Sequence, residues 1–228
     1  MNTDSWIEQL YRISPQKAYS QFGEEPFIKH IFDSVGTRYK YFVDLGAGDG
    51  TYLSNTKYLK DTLGWGGLMV DADNKGNNEV LQSFITDDNI TEILISNQVP
   101  QDFDFLSIDL DGNDYYILDS ILNDYRPSLI LAEFNGTIPI GESKIMQYNS
   151  SHTWGNDDYY GASFEAMKRL GELHGYKTIF SFASTNIYML DKNLMGNPDI
   201  ELNVSYQDRK STRLNSSHMS ESRMPSSA

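Results

Sequence analysis

The sequence has 228 residues, 39% of them hydrophobic, with 15 tyrosines and 11 phenylalanines, enough to fill the core of one ordinary domain and to exclude wholesale disorder. It has no cysteine, which excludes disulfide scaffolds, thiolate metal sites and cysteine nucleophiles. The formal charge of −14 argues against a basic groove for a phosphate backbone, so no nucleic-acid partner is expected.

Met1 to Leu10 carries Asp4 and Glu8 and lacks the basic-then-apolar pattern of a secretory leader. No apolar run approaches the roughly 20 residues that span a bilayer, so the expectation is a cytoplasmic protein with no membrane partner. Residues 4–35 read as helical: Trp6, Ile7, Leu10 and Tyr11 share one face, and Pro26 opens a second helix at its first turn. Tyr41 to Leu45 is a short apolar run that stops at Gly46-Ala47-Gly48-Asp49-Gly50, and Ser54 is placed to cap a helix reaching Leu63. The alternation then repeats. Gly67 to Val70 reads as a strand closed by Asp71, Asn77 to Phe84 as helix, and Thr91 to Ser96 as an alternating third strand. Phe103 to Ile108 is a continuous apolar strand closed by Asp109, Tyr115 to Leu122 a helix, and Ser128 to Ala132 a buried strand closed by Glu133.

Residues 134–160 break the rhythm, rich in Gly, Asn, Tyr and Ser without a period. A loop of that length in a compact domain is usually functional or disordered, and Tyr148, Trp154, Tyr159 and Tyr160 favour function, as a lid or a sugar-stacking wall. Ala162 to His174 reads as helix, followed by a closing pair of strands, Lys177 to Phe182 and Asn186 to Leu190. The fold expected is α/β: a Rossmann-like, mostly parallel sheet with helices on both faces.

The domain organisation expected is a single domain over 1–208. It divides into N-terminal helices over 1–38, a cofactor-binding half over 39–133, and a substrate loop and C-terminal half over 134–208. Residues 209–228 change character to serine and basic residues with few large apolar ones. The string STRLNSSH, followed by SRMPSSA, resembles translated sequencing adapter or vector read-through, the alternative being a natural Ser-rich tail.

The strongest local signal is the apolar strand ending in Asp44 before Gly-Ala-Gly-Asp-Gly. Glycines allow a sharp turn and a close approach of backbone to ligand, and the next helix aims free N–H groups into the same space. An acid at the end of the second strand, Asp71, suits a ribose diol, with Asp73 the competing candidate. A dinucleotide fold wants a third glycine where Thr51 stands. Asp44 and Asp49 would also repel a pyrophosphate, whereas they suit the amino group and sulfonium of S-adenosylmethionine. Asp109, Asp111 and Glu133 end neighbouring strands and, with Asn113 or Asn135, could form an oxygen-rich site for Mg²⁺ or Ca²⁺. The competing reading is that Asp111 to Asp114 simply makes a turn and helix cap. His152, in the long loop, is a candidate general base, while His30 and His174 read as helix-surface residues.

VDLGAGDGTYLSNT, then LGWGGLMVDAD and DFLSIDLDGNDYYIL, resembles the FkbM-type class I methyltransferases. Ser20-Gln21-Phe22-Gly23-Glu24-Glu25 is similar to the Ser-Gln-x-Gly-x-Asp/Glu segment before the first strand of that family, and WGNDDYYGAS with HGYKTIFSFASTNIYML to the C-terminal half of one subgroup. The resemblance covers roughly residues 19–190 and is less specific for substrate than for fold and cofactor. It implies that Asp44, Gly46 and Gly48 line the methionine end of S-adenosylmethionine, that Asp71 holds the ribose, and that Ser96 or Asn97 approaches the adenine. It further implies that Asp109 sits beside the transferring methyl and that Gln21 closes over the cofactor. Asp71 and Asp111 stand where Glu is common in the family, and the shorter side chain reaches less far.

The activity expected is O-methylation of a hydroxyl on a glycan or small natural product, with Asp109, Glu133 and His152 as candidate bases. A nicotinamide-dependent oxidoreductase and a non-catalytic cofactor-binding module are the alternatives. A nucleic-acid methyltransferase is disfavoured by charge and by the absence of an Asn/Asp-Pro-Pro-Tyr/Phe segment. Oligomeric state is not legible in the sequence.

Overall fold

The computed structural model describes residues 5–198, together with Leu202 and Val204. The serine-rich segment over 209–228 lies outside the described residues. Helices α1 (Ser5–Leu10) and α2 (Glu25–Val35) precede β1 (Tyr41–Leu45), α3 (Lys57–Leu63), β2 (Gly66–Asp71) and β3 (Val80–Gln82). Then follow α4 (Ile90–Ser96), β4 (Phe105–Ile108), α5 (Asp114–Asp124), β5 (Leu129–Glu133), α6 (Phe164–Leu173), β6 (Tyr176–Phe182) and β7 (Asn186–Asp191).

The strands form one seven-stranded sheet in the order β3-β2-β1-β4-β5-β7-β6. β1 to β5 pair in parallel, and β7 runs antiparallel between β5 and β6. The fold is therefore α/β, a Rossmann-like and mostly parallel sheet. Alternate residues of each strand feed two separate cores, because successive side chains of a strand point to opposite faces. Val43, Leu45, Leu106, Ile108, Ile130 and Ala132 pack under α4, α5 and α6. Phe42, Met69, Phe105, Leu129, Leu131 and Tyr188 pack under α1, α2 and α3. Both faces are covered, which is why these strands read as continuous apolar runs.

Three expectations about the elements need correction. Residues 4–35 are not helical throughout: between α1 and α2 the Glu25 carboxylate accepts from the backbone N–H groups of Ala18, Tyr19 and Ser20, at 3.2, 2.7 and 2.8 Å. A side chain that gathers three successive donors holds the chain in a turn rather than a helix. Pro26 does open α2, whose Phe27, Ile28, Ile31 and Phe32 are buried and which stops at Gly36, φ 82°.

Asn77 to Phe84 is not a helix but contains β3, which pairs with β2 in the register Met69↔Val80 to Asp71↔Gln82. Thr91 to Ser96 is not a strand but belongs to α4, with Ile90 and Leu94 buried one turn apart. The two corrections share a cause. Once β3 occupies the sheet edge, the chain must cross back over β2 and β1 to place β4 beside β1, and a parallel crossover is made by a helix.

The closing hairpin turns at Ala183 and Ser184, both left-handed with φ of 56° and 61°. Thr185 N–H donates to Phe182 O at 3.3 Å across that turn. At the opposite end of β7, the buried Asp191 carboxylate takes a bidentate pair from Arg126, at 2.7 and 2.8 Å. Among the described residues no helix is long and apolar enough to cross a membrane.

Candidate functional site

The connections that leave β1 and β4 run to opposite sides of the sheet, so a crevice opens at the C-terminal ends of these two strands, where open α/β sheets bind ligands. One wall is the turn after β1. Gly46, Gly48 and Gly50 all have positive φ, 83°, 56° and 72°, which a side chain would resist. A Cβ on Gly48 would enter open space, whereas one on Gly50 would lie 2.9 Å from Val80 Cγ2 and 3.2 Å from Met69 Sδ. Gly48 thus borders open space, whereas Gly50 packs the turn on β2 and β3.

Asp71 ends β2 and is bound to that turn: its Oδ2 accepts from Gly48 N–H at 2.7 Å, while Oδ1 accepts from Asp73 N–H at 2.8 Å. The competing candidate, Asp73, is ion-paired to Lys75 at 2.6 Å, at the surface. Asp44 is buried, 1% exposed, and its Oδ2 accepts from Thr56 Oγ1 at 2.7 Å. Sequence reasoning missed Thr56. The helix begins later than expected, at Lys57 with Thr56 in the N-cap position, and Ser54 Oγ accepts from Lys57 N–H at 3.0 Å from the turn before it. Asp49 caps its own turn, accepting from Thr51 and Tyr52 N–H at 2.8 and 2.7 Å.

The segment Ser20 to Glu25 is folded against this wall. Ser20 forms a parallel bridge with Leu53, which sets Gln21 beside the β1–α3 connection. Ser20 Oγ donates to Glu25 Oε2 at 2.5 Å and accepts from Glu24 N–H at 2.9 Å. Glu24 accepts from Asn186 Nδ2 at 2.9 Å, which ties the segment to the start of β7, and burial raises its carboxyl above the usual range.

Ser96 and Asn97 are not in the crevice. Both are exposed at the C-terminal end of α4, where Ser96 Oγ donates to Glu92 at 2.8 Å and Asn97 Nδ2 to Ile93 O at 2.8 Å. A crossover helix runs antiparallel to the strands it joins, so its C-terminal end lies at the edge of the sheet away from the site. The residues that do follow the third strand are Ser83, Phe84 and Ile85. Ser83 N–H donates to Asp71 O at 2.8 Å, and the Phe84 ring is 42% exposed. The available signal was the Asn- and Gly-rich turn over residues 74–78, too polar to be the helix start assigned there.

The other wall is acidic. Asp109 follows β4, Glu133 ends β5, and Asp111 stands between them in a left-handed conformation, φ 53°, that Asp tolerates better than most residues. One carboxylate oxygen from each of these three lies within 4.8 Å of the others. Asp114, fully buried, holds the turn by accepting from Leu110 N–H at 2.7 Å and Gly112 N–H at 2.9 Å. Burial, reinforced by the charge of Asp109, pushes its carboxyl up to about 6.

Asn113 and Asn135, considered as further cation ligands, are used otherwise. Asn113 exchanges hydrogen bonds with the Asn149 backbone, and Asn135 Nδ2 donates to Asp158 O and Tyr160 O, both at 2.9 Å. These amides build the long loop over the crevice. His152 is brought to the acidic wall: the position of a Cβ on Gly112 is only 2.4 Å from His152 Cδ2. Tyr160 joins them, its hydroxyl held well above its ordinary pKa by burial and then by Glu133, Asp111 and Asp109. Trp154 meets Tyr160 edge-on at 6.0 Å, whereas Tyr159 points largely to solvent, 59% exposed. His174 pairs with Asp119 at 2.7 Å between α5 and α6, remote from the crevice.

No family model and no curated protein matches the sequence. Among solved structures, the chain is similar to an O-methyltransferase from Bacillus cereus in complex with S-adenosylhomocysteine, with 14% identity, 82% of this chain and 91% of that one covered, and a TM-score of 0.44. It is also similar to the N-terminal domain of EvdMO1 crystallised with S-adenosylhomocysteine and D-fucose, with 10% identity, coverage of 83% and 95%, and a TM-score of 0.42. A third likeness is to a S-adenosylmethionine-dependent methyltransferase from Clostridium acetobutylicum, with 10% identity, coverage of 72% and 88%, and a TM-score of 0.40.

Proposed function

We propose that the protein is a S-adenosylmethionine-dependent methyltransferase of the FkbM type that methylates a hydroxyl of a glycan or small natural product. The observation that carries this reading is the pairing of Gly48 N–H with Asp71 at the β1/β4 crevice. It presents an open glycine turn and an anchored carboxylate side by side, as a nucleoside with a short cationic arm requires. The space that a Cβ on Gly48 would enter and the acid at the end of β2 both fit that cofactor. Gly46, Gly48 and Asp44 would hold its methionine end and Asp71 its ribose, with Gln21 over it and Ser83 to Ile85 at the base. When bound, the cofactor supplies an electrophilic methyl group on a sulfonium.

The acceptor hydroxyl must lose its proton as its oxygen bonds to the methyl carbon and the carbon–sulfur bond breaks. Asp109, Glu133 and His152 would be the groups to take that proton. Holding acceptor and methyl in line supplies roughly 7–11 kcal/mol of the barrier, against some 3–5 kcal/mol from general-base assistance. Positioning by the loop therefore outweighs the identity of the base. Trp154 and Tyr160 offer flat faces to a sugar or aromatic ring. The spacing of Asp109, Asp111 and Glu133 also suits a hard cation such as Mg²⁺, which turnover measured with Mg²⁺ and with a chelator would reveal.

The test is calorimetric titration of S-adenosylmethionine, with NAD in parallel. Saturable binding of the first, abolished by Asp44→Ala, is the expected outcome. Binding of NAD alone, or of neither by the folded protein, would overturn the reading.

A further inference from the structure

We propose that Tyr148 is a positioning residue that couples occupancy of the cofactor crevice to the seating of the loop carrying His152, through its hydrogen bond to Asp87. The proposal rests on the cofactor reading given above. Asp87 belongs to the segment that leaves the C-terminal end of β3, beside Asp71. That segment is held as a unit: Thr86 N–H donates to Asn89 Oδ1 and Asn89 Nδ2 to Phe84 O, both at 2.8 Å, and Ile85 is buried. Its Phe84 ring and Ser83 border the crevice from the nucleoside side.

From across the crevice the Tyr148 hydroxyl donates to Asp87 Oδ1. Its ring stands edge-on to Tyr116 at 5.3 Å, and the Tyr116 hydroxyl donates to Met146 O at 3.0 Å. Asn113 fastens Asn149, donating to its O at 2.7 Å. Met146 and Asn149 are thus moored to α5 and the turn before it, whereas Tyr148 is moored to the segment after β3. His152 follows directly. Its N–H donates to Asn149 O at 2.9 Å, and its ring rests on Gly112. A nucleoside seated against Ser83 to Ile85 restrains Asp87, and through Tyr148 that restraint reaches the mooring of His152. Filling the cofactor side therefore favours the seated form of the acceptor side. Coupling of this kind requires that the ligand favour the seated loop over the unseated one, which the shared hydrogen bond provides.

The probe is S-adenosylhomocysteine added to the full chain, with amide hydrogen exchange as the readout and no acceptor needed. In the unaltered protein the ligand slows exchange at residues 46–50 and also, by about 10- to 100-fold, at 146–152, the factor expected for a hydrogen bond to a charged acceptor. In Tyr148→Phe the protection at 146–152 falls to near onefold while that at 46–50 stays. Asp87→Asn, whose amide oxygen still accepts, keeps the coupling, and Asp87→Ala loses it. If Tyr148→Phe raises exchange at 146–152 equally with and without ligand, Tyr148 merely braces the loop and the proposal fails. Protection confined to 46–50 in the unaltered protein also overturns it while sparing the cofactor reading. No protection at 46–50 overturns that reading, and the coupling with it.

Discussion

Replacing Asp71 by alanine tests the cofactor wall most directly. The carboxylate makes two backbone contacts, 2.7 Å to Gly48 N–H and 2.8 Å to Asp73 N–H, and keeps lone pairs on both oxygens for a ribose diol. A hydrogen bond to a charged acceptor is worth about 1.5–3 kcal/mol. Its loss on the ligand side should raise the Kd for S-adenosylhomocysteine by about 10- to 100-fold, at about 1.4 kcal/mol per factor of ten. The same substitution frees two N–H groups at the crevice edge, where water can replace the carboxylate, so the stability loss should stay within about 1–3 kcal/mol. For a domain of this size that is a fall in Tm of roughly 2–12 °C, small enough to leave a folded protein at 25 °C. Isothermal calorimetry at that temperature, with adenosine as a second ligand, separates the effects, because adenosine retains the ribose and lacks the methionine arm. Asp73→Ala, which removes a surface ion pair, should change either Kd by less than about twofold. The reasoning is refuted if Asp71→Ala leaves both affinities unchanged, or if Asp73→Ala weakens them as much.

Gly50→Ala should destabilise the protein by about 2–3 kcal/mol in chemical denaturation, because the new Cβ meets Val80 Cγ2 at 2.9 Å on a backbone of φ 72°; Gly48→Ala, strained but uncrowded, should cost about 1 kcal/mol. Gly112→Ala should displace the His152 ring, 2.4 Å from the new Cβ, and once an acceptor is found lower kcat by the same factor as His152→Ala at a stability cost of about 1 kcal/mol; unequal losses would separate the two residues. Asp114 gives a pH prediction. Folded protein keeps its proton up to about pH 6 whereas the unfolded chain releases it near pH 3.8, so stability falls as pH rises through that window. The fall approaches about 3 kcal/mol, at 1.36 kcal/mol per unit. Asp114→Asn should remove that slope from denaturation midpoints measured between pH 4 and 7, and an identical slope in both proteins would count against it.

The features legible in the sequence were those whose cause is local. Asp44, Asp71, Asp109 and Glu133 each stand at or beside the C-terminal end of an apolar run, and because the run fixes the strand it also fixes which edge of the sheet the acid faces. Ser96 and Asn97 failed for a reason outside their own neighbourhood. Whether Thr91 to Ser96 becomes helix or strand depends on whether the short polar edge strand β3 has already taken the outer place, and three residues leave little periodicity to read. The Thr56 contact with Asp44 depends on how the β1–α3 connection folds back, and the seat of His152 on Gly112 joins positions far apart in sequence, so no spacing rule finds either. Asn113 and Asn135 show the converse: residues chosen for their ligand chemistry turned out to organise backbone.

The hairpin turn at Ala183 and Ser184 bears on the position of an acid in the crevice. Two consecutive side-chain-bearing residues at φ of 56° and 61° are poor choices for a turn that Asn-Gly would make without strain. The turn ends on Thr185, whose O accepts from Phe134 N–H at 2.7 Å and whose hydroxyl donates to Glu133 at 3.3 Å. The strained corner holds Thr185 against Glu133, and so it orients the carboxylate at the end of β5. An Asn-Gly exchange should therefore raise Tm while loosening Glu133, so that selection for heat tolerance and selection for turnover would pull these two positions in opposite directions.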